Sequence, residues 1–133
     1  MTRYTGGCLC GAIRYEVDAE PTDSGWCHCR MCQRVSGAPA QPFAMFPLAA
    51  FRYLQGEPRV YISSAIGERR SCGVCGSSLE FRARQDPREV SLNSGTLDEP
   101  SRVPPRKHIW VSSRIAWFAC DDGLPQFAQD ADR

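Results

Sequence analysis

The sequence predicts a mainly β fold, on two observations: turn residues are frequent, and strand-length runs alternating apolar with polar side chains recur between them. Ten prolines and eleven glycines in 133 residues interrupt the chain too often for many long helices. The length suits one domain and suffices to bury a core, so residues 1–133 are expected to form a single unit.

The elements follow in order. Residues 12–17 alternate as a half-buried strand does. Residues 41–46, 51–54 and 59–62 have the same character, and Gln55-Gly56-Glu57-Pro58 supplies the turn between the last two. Residues 78–84 place Leu79, Phe81 and Ala83 on one face and Glu80, Arg82 and Arg84 on the other. Residues 108–111 and 116–120 give further strands. Helices are expected only after Cys29, over residues 30–35, and near Leu97, and both are short. Residues 98–107, with Pro100, Pro104 and Pro105, read as an extended loop.

A formal charge of +1 offers no field to draw nucleic acid or an anionic membrane, so neither is expected as a partner. Residues 1–7 lack the apolar run of a signal peptide, and the longest apolar stretch, residues 43–51, is broken by Pro47 and too short to span a bilayer. A cytoplasmic location is therefore expected. There, eight cysteines stay as thiols, and clustered thiols read as metal ligands rather than disulfides.

Two clusters stand out. Cys8-Leu9-Cys10-Gly11 and Cys72-Gly73-Val74-Cys75-Gly76 are close pairs backed by glycine, the usual way in which two short loops give zinc four tetrahedral ligands. Four thiolates close the coordination sphere, so this site is expected to be structural. Cys27-His28-Cys29-Arg30-Met31-Cys32 offers three thiolates within six residues. On an extended strand the ring of His28, between two ligands, points away from them. Cys120 and His108 remain as candidates for a fourth ligand. If neither fills it, the metal keeps an open position, as catalytic zinc does, and the soft ligand set favours a thiol substrate.

Around these clusters, Gly6-Gly7-Cys8-Leu9-Cys10-Gly11-Ala12-Ile13-Arg14-Tyr15, Gly37-Ala38, Leu54-Gln55-Gly56, Gly95-Thr96-Leu97-Asp98, His108-Ile109-Trp110 and Trp117-Phe118 complete a pattern along nearly the whole chain. It resembles the glutathione-dependent formaldehyde-activating enzyme family, which shares its domain with centromere-protein-V-like proteins. The resemblance implies a β-tent fold of small twisted antiparallel sheets with short helices, stapled by a four-cysteine zinc. It also implies two zinc ions per chain, a structural one on Cys8, Cys10, Cys72 and Cys75 and a catalytic one on Cys27, Cys29 and Cys32. The implied activity is that of a carbon–sulfur lyase resembling S-(hydroxymethyl)glutathione synthase, with glutathione or a similar thiol and an aldehyde as partners. The chain departs from the family pattern at Ser71, where an aromatic is common, and at Arg30, where a small hydroxyl residue is common.

Other residues carry weaker signals. Trp26 could wall the pocket, and Arg30 and Arg34 could attract a substrate carboxylate. Asp121-Asp122, followed by Gly123 and Pro125, is expected to shape a turn, and His108 to be a satisfied structural histidine. The alternative function is a non-catalytic, zinc-stabilised protein-interaction module in which both metal sites are structural.

Overall fold

The computed structural model describes residues 2–130. Its strands are β1 (Tyr4–Gly7), β2 (Arg14–Val17), β3 (Asp23–Cys27), β4 (Gln41–Pro47), β5 (Phe51–Gln55), β6 (Arg59–Ile62), β7 (Gly67–Ser71), β8 (Ser78–Ala83), β9 (Glu89–Asn93) and β10 (His108–Ile109). One helix, α1 (Arg30–Ser36), lies between β3 and β4. The protein is mainly β. A three-stranded sheet runs β1-β2-β5, and a seven-stranded sheet runs β10-β3-β4-β9-β8-β7-β6. Neighbours are antiparallel except β3 and β10, which pair parallel with His108 opposite Trp26.

The side-chain period of two divides the work of the large sheet between its faces. Ala44 and Phe46 of β4, opposite Leu92 and Val90 of β9, join Tyr15 and Val17 of β2 in a buried core with Tyr4 and Leu97. The intervening residues Phe43, Met45, Ser91 and Asn93 turn the other way and line a cleft. A small core packs Ile13 and Leu79 against Cys8 and Cys72, so the first cysteine cluster grows out of apolar packing.

Helix α1 is short because both its ends are specified. Cys29 is its N-cap, the Sγ accepting from the Cys32 N–H at 3.3 Å. Gly37 takes the left-handed conformation at φ 66° and its N–H returns to the Gln33 carbonyl, which stops the helix.

Several expectations are corrected. Residues 116–120 are no strand: Phe118 N–H donates to the Ile115 carbonyl and Arg114 Nη1 to the Phe118 carbonyl, so these groups are satisfied locally in a turn. The last strand stops at Ile109 and gives way to a 3-10 turn at Val111–Ser113. Near Leu97 only a 3-10 turn, Ser94–Thr96, forms. Glu80, placed on a polar face of β8, is buried beneath Arg82 (2.6 Å) and the Tyr53 hydroxyl (2.5 Å). Among the described residues no helix is long and apolar enough to cross a membrane.

Candidate metal centres and the adjoining pocket

The first cluster sits where two hairpin loops meet. Cys8 and Cys10 lie in the β1–β2 loop and Cys72 and Cys75 in the β7–β8 loop, so one site joins the two sheets. Its four sulfurs lie within 4.8 Å of one another, with Cys8–Cys10 at 3.6 Å and Cys10–Cys72 at 3.8 Å. Sulfurs about 2.3 Å from a tetrahedral ion stand about 3.8 Å apart, so the donor set fits a zinc-sized metal. Both knuckles use the same backbone device. Gly11 and Gly76 adopt φ of 82° and 80°, a conformation that penalises a side chain. The turn around each aims N–H groups at sulfur: Ile13, after Gly11, donates to Cys8 at 3.2 Å, and Val74 and Cys75, before Gly76, to Cys72 at 3.4 and 3.5 Å.

These donors set the thiol acidities. Burial pushes the Cys8 thiol up, but the Ile13 N–H and the Cys10 and Cys72 thiols outweigh it and leave it lowered. The Ser77 hydroxyl and N–H hold Cys75 down to about 5. The thiolate, the form that binds metal, is thus favoured at Cys8 and Cys75, while the neighbouring thiols push Cys10 up to about 11.

The second cluster is built at the end of β3 and the first turn of α1. The Cys27, Cys29 and Cys32 sulfurs lie within 4.8 Å of one another, and among the described residues no fourth Cys, His, Asp or Glu joins them. Hydrogen bonds from the Cys27 and Cys32 thiols hold Cys29 down to about 2, while the same contacts push Cys27 up. Arg69 adds positive charge, its Nη2 lying 4.0 Å from Cys32 Sγ while its guanidinium stacks over Phe81 at 5.0 Å.

The three thiols open into a pocket of about 430 Å³. Phe43, Met45, Phe81 and Trp110 make its apolar wall, and Gln41, Asn93 and Ser113 its polar one. An adjoining cleft of about 490 Å³ shares Met31 and Arg69 with it and adds Arg34, Tyr61 and Arg70.

The structure brings the seven cysteines together in the two groups anticipated. Arg30 lines the pocket and reaches Gln33 Oε1. Arg34 lines the adjoining cleft instead. Trp26 stacks on His108, with ring centroids 6.5 Å apart at 11°. Cys120 and His108 do not complete the cysteine trio: they gather around His28, whose ring points away from the thiols as the strand geometry required. Asp122 shapes the expected turn by accepting from the Leu124 N–H, and also accepts from His108 Nε2 at 2.8 Å. Sequence reading missed Arg69 and the pocket face of β9. Arg69 follows a glutamate in a charged run with no apolar alternation, so only the pairing of β7 with β8, Arg69 opposite Phe81, reveals its position.

Comparison with known proteins agrees with this geometry. The family model described as glutathione-dependent formaldehyde-activating enzyme matches residues 3–113. An uncharacterized lyase of Schizosaccharomyces pombe is 31% identical over 81 residues, which are 61% of this chain and 58% of that protein. The match thus spans little more than half the length of that relative. A crystal structure of a Rhodobacter sphaeroides protein superposes with a TM-score of 0.63 at 23% identity, covering 92% of this chain and 98% of that one, and shares the fold.

Proposed function

Since the chain belongs to the glutathione-dependent formaldehyde-activating enzyme family, we propose that it is a zinc-dependent carbon–sulfur lyase-type enzyme acting on the adduct of an aldehyde with glutathione or a similar thiol. The observation that carries this reading is the cysteine trio: three converging thiols line a pocket, and no fourth Cys, His, Asp or Glu joins them among the described residues.

Cys27, Cys29 and Cys32 would hold the catalytic ion, and Cys8, Cys10, Cys72 and Cys75 the structural one. When bound there, a zinc ion would supply an open coordination position and would acidify a substrate thiol toward neutral pH. In the adduct-forming direction a sulfur–carbon bond forms and the thiol proton passes to the carbonyl oxygen. The chain's own residues supply the setting. Arg69 offsets the negative charge of the trio, which otherwise repels an incoming thiolate. Phe43, Phe81 and Trp110 exclude water around the reacting carbon, and Gln41, Asn93 and Ser113 offer hydrogen bonds to the carbonyl oxygen. Arg34 and Arg69 line the adjoining cleft and suit the carboxylates of a peptide thiol, of which glutathione carries two.

The test is a glutathione titration of cobalt-substituted protein followed through its sulfur-to-cobalt absorption. A saturable change, lost in Cys29→Ala, is expected, together with aldehyde consumption that the same variant lacks. A spectrum that ignores glutathione, with no aldehyde consumption by the native protein, would move the reading to an interaction module with closed sites.

A further inference from the structure

Behind the cysteine trio, on the other side of β3, three further donors converge: His28 Nε2, His108 Nδ1 and Cys120 Sγ, all within 4.8 Å of one another. We propose that they form a third metal site, of the two-histidine, one-cysteine type, which takes a divalent ion of zinc's chemistry.

Three independent features of the geometry carry it. First, His108 Nε2 donates to Asp122 Oδ2 at 2.8 Å, so the ring's lone pair is on Nδ1 and faces the cluster. A carboxylate behind a histidine that fixes its tautomer and orientation is the arrangement metal-ligating imidazoles use. Second, both rings are sealed from solvent, at 0% and 2% exposure, and held by the backbone on which they stand. His28 N–H donates to the Ile109 carbonyl and His108 N–H to the Pro125 carbonyl, so the donors are positioned before any ion arrives. Third, the separations suit a small tetrahedral ion. Cys120 Sγ stands 3.7 Å from His28 Nε2, close to the roughly 3.6 Å that a nitrogen and a sulfur keep on one zinc. The two nitrogens are 2.9 Å apart, and small ring rotations would open them to the roughly 3.3 Å that zinc requires.

Without an ion the same atoms make a chain of hydrogen bonds, His28 donating to His108 and His108 to Asp122. That chain leaves the Cys120 thiol no acceptor on His28, because the Nε2 of that ring is spent as a donor toward His108. An ion would take all three lone pairs at once, with the His28 proton moved to Nδ1, a buried atom that has no hydrogen-bond partner. Cys120 lies only part-buried, at the rim, and gives the ion its route from solvent. The ligand set, with two imidazoles and one thiolate, selects zinc or copper over calcium or magnesium. A filled site would fasten the segment bearing Cys120 and Asp122 to His28, and so brace the strand end from which Cys27 and Cys29 project.

The experiment is a metal count on full-length protein purified with zinc, paired with cadmium-113 resonance of the cadmium-loaded chain. Three zinc ions per chain are expected in the native protein and two in Cys120→Ala. The cadmium spectrum is expected to hold two thiolate-rich resonances plus one from a nitrogen-rich site, and only that one should vanish in Cys120→Ala. Persistence of the other two shows that the variant has folded. His108→Gln gives the same loss from the second ligand. Two zinc ions in both native protein and variant, with no third resonance, overturns the proposal and leaves a hydrogen-bonded chain. Because the readouts are counts and resonances, they stand whether or not the protein acts on glutathione.

Discussion

Arg69 meets the cysteine trio and both clefts at one point. Its guanidinium, 4.0 Å from Cys32 Sγ and stacked on Phe81, places a fixed positive charge beside thiolates that repel an anionic substrate. Arg69→Met keeps most of the packing and removes the charge. The expected result is a rise of about tenfold in KM for the thiol with a smaller change in kcat, equivalent to about 1.4 kcal/mol of binding. Arg69→Lys, which keeps charge but not the planar stack, should recover part of it. Steady-state kinetics with the thiol varied at saturating aldehyde checks both. Neither role was legible in Glu68-Arg69-Arg70-Ser71, which carries no periodicity. The cysteines were legible because metal ligation imposes residue type and spacing together, whereas one arginine in a charged run imposes neither.

Among the elements, β8 links packing to the first metal loop. Leu79 is fully buried and packs with Ile13 against Cys8 and Cys72. Leu79→Ala should cost about 3 kcal/mol in denaturant unfolding, the usual result of opening a cavity in a core that cannot collapse. Its neighbour Glu80 explains why the alternation of β8 misled. A glutamate reads as solvent-facing, yet this one is buried because Arg82, Arg70 and the Tyr53 hydroxyl surround it. Strands β1, β3, β7 and β9 escaped sequence reading: Tyr-Thr-Gly-Gly, Asp-Ser-Gly-Trp-Cys and Gly-Glu-Arg-Arg-Ser are strands because neighbours pair with them, not because of their own preferences, whereas Glu-Val-Ser-Leu-Asn does alternate and its short pattern was passed over. Another element-level contact is electrostatic. Asp98, after β9, accepts from Arg14 at 3.0 Å and from the Thr5 hydroxyl at 2.6 Å, which ties the β1–β2 hairpin to the following loop. Those two partners hold its carboxyl below the ordinary value of 3.8. A lowered acid contributes stability that is full above the unfolded value and is lost as pH falls through the folded one. Asp98→Asn should therefore be less stable than the native protein by at most about 1 kcal/mol at pH 7, since the pair is substantially exposed. The two should converge as pH falls below 3.8 and through the lowered folded value, which urea midpoints across that range would test.

For the whole molecule, the two cysteine clusters have different mechanical duties. Cys8, Cys10, Cys72 and Cys75 join the three-stranded sheet to the seven-stranded one, and their loops share the small core around Leu79. Cys27, Cys29 and Cys32 all come from one β3–α1 segment, so a metal there closes only a short loop and staples nothing remote. Chain-entropy reasoning makes the first link far the more stabilising, because it closes a loop of some sixty residues, and the logarithmic cost grows with loop length. The trio also opens into a pocket, where a chelator reaches it directly. Graded chelation should accordingly strip the two cysteine clusters in two stages, the ion proposed on His28, His108 and Cys120 being counted separately. The first metal to leave should take the activity with it while the circular dichroism spectrum stays constant. The second should leave only at higher chelator concentration, together with cooperative loss of β structure and a fall in Tm. Released metal, turnover and dichroism measured on the same samples would follow both stages. Simultaneous loss of activity and fold would mean that the trio also carries the architecture, and would remove the distinction between a closed structural site and an open working one on which the proposed activity depends.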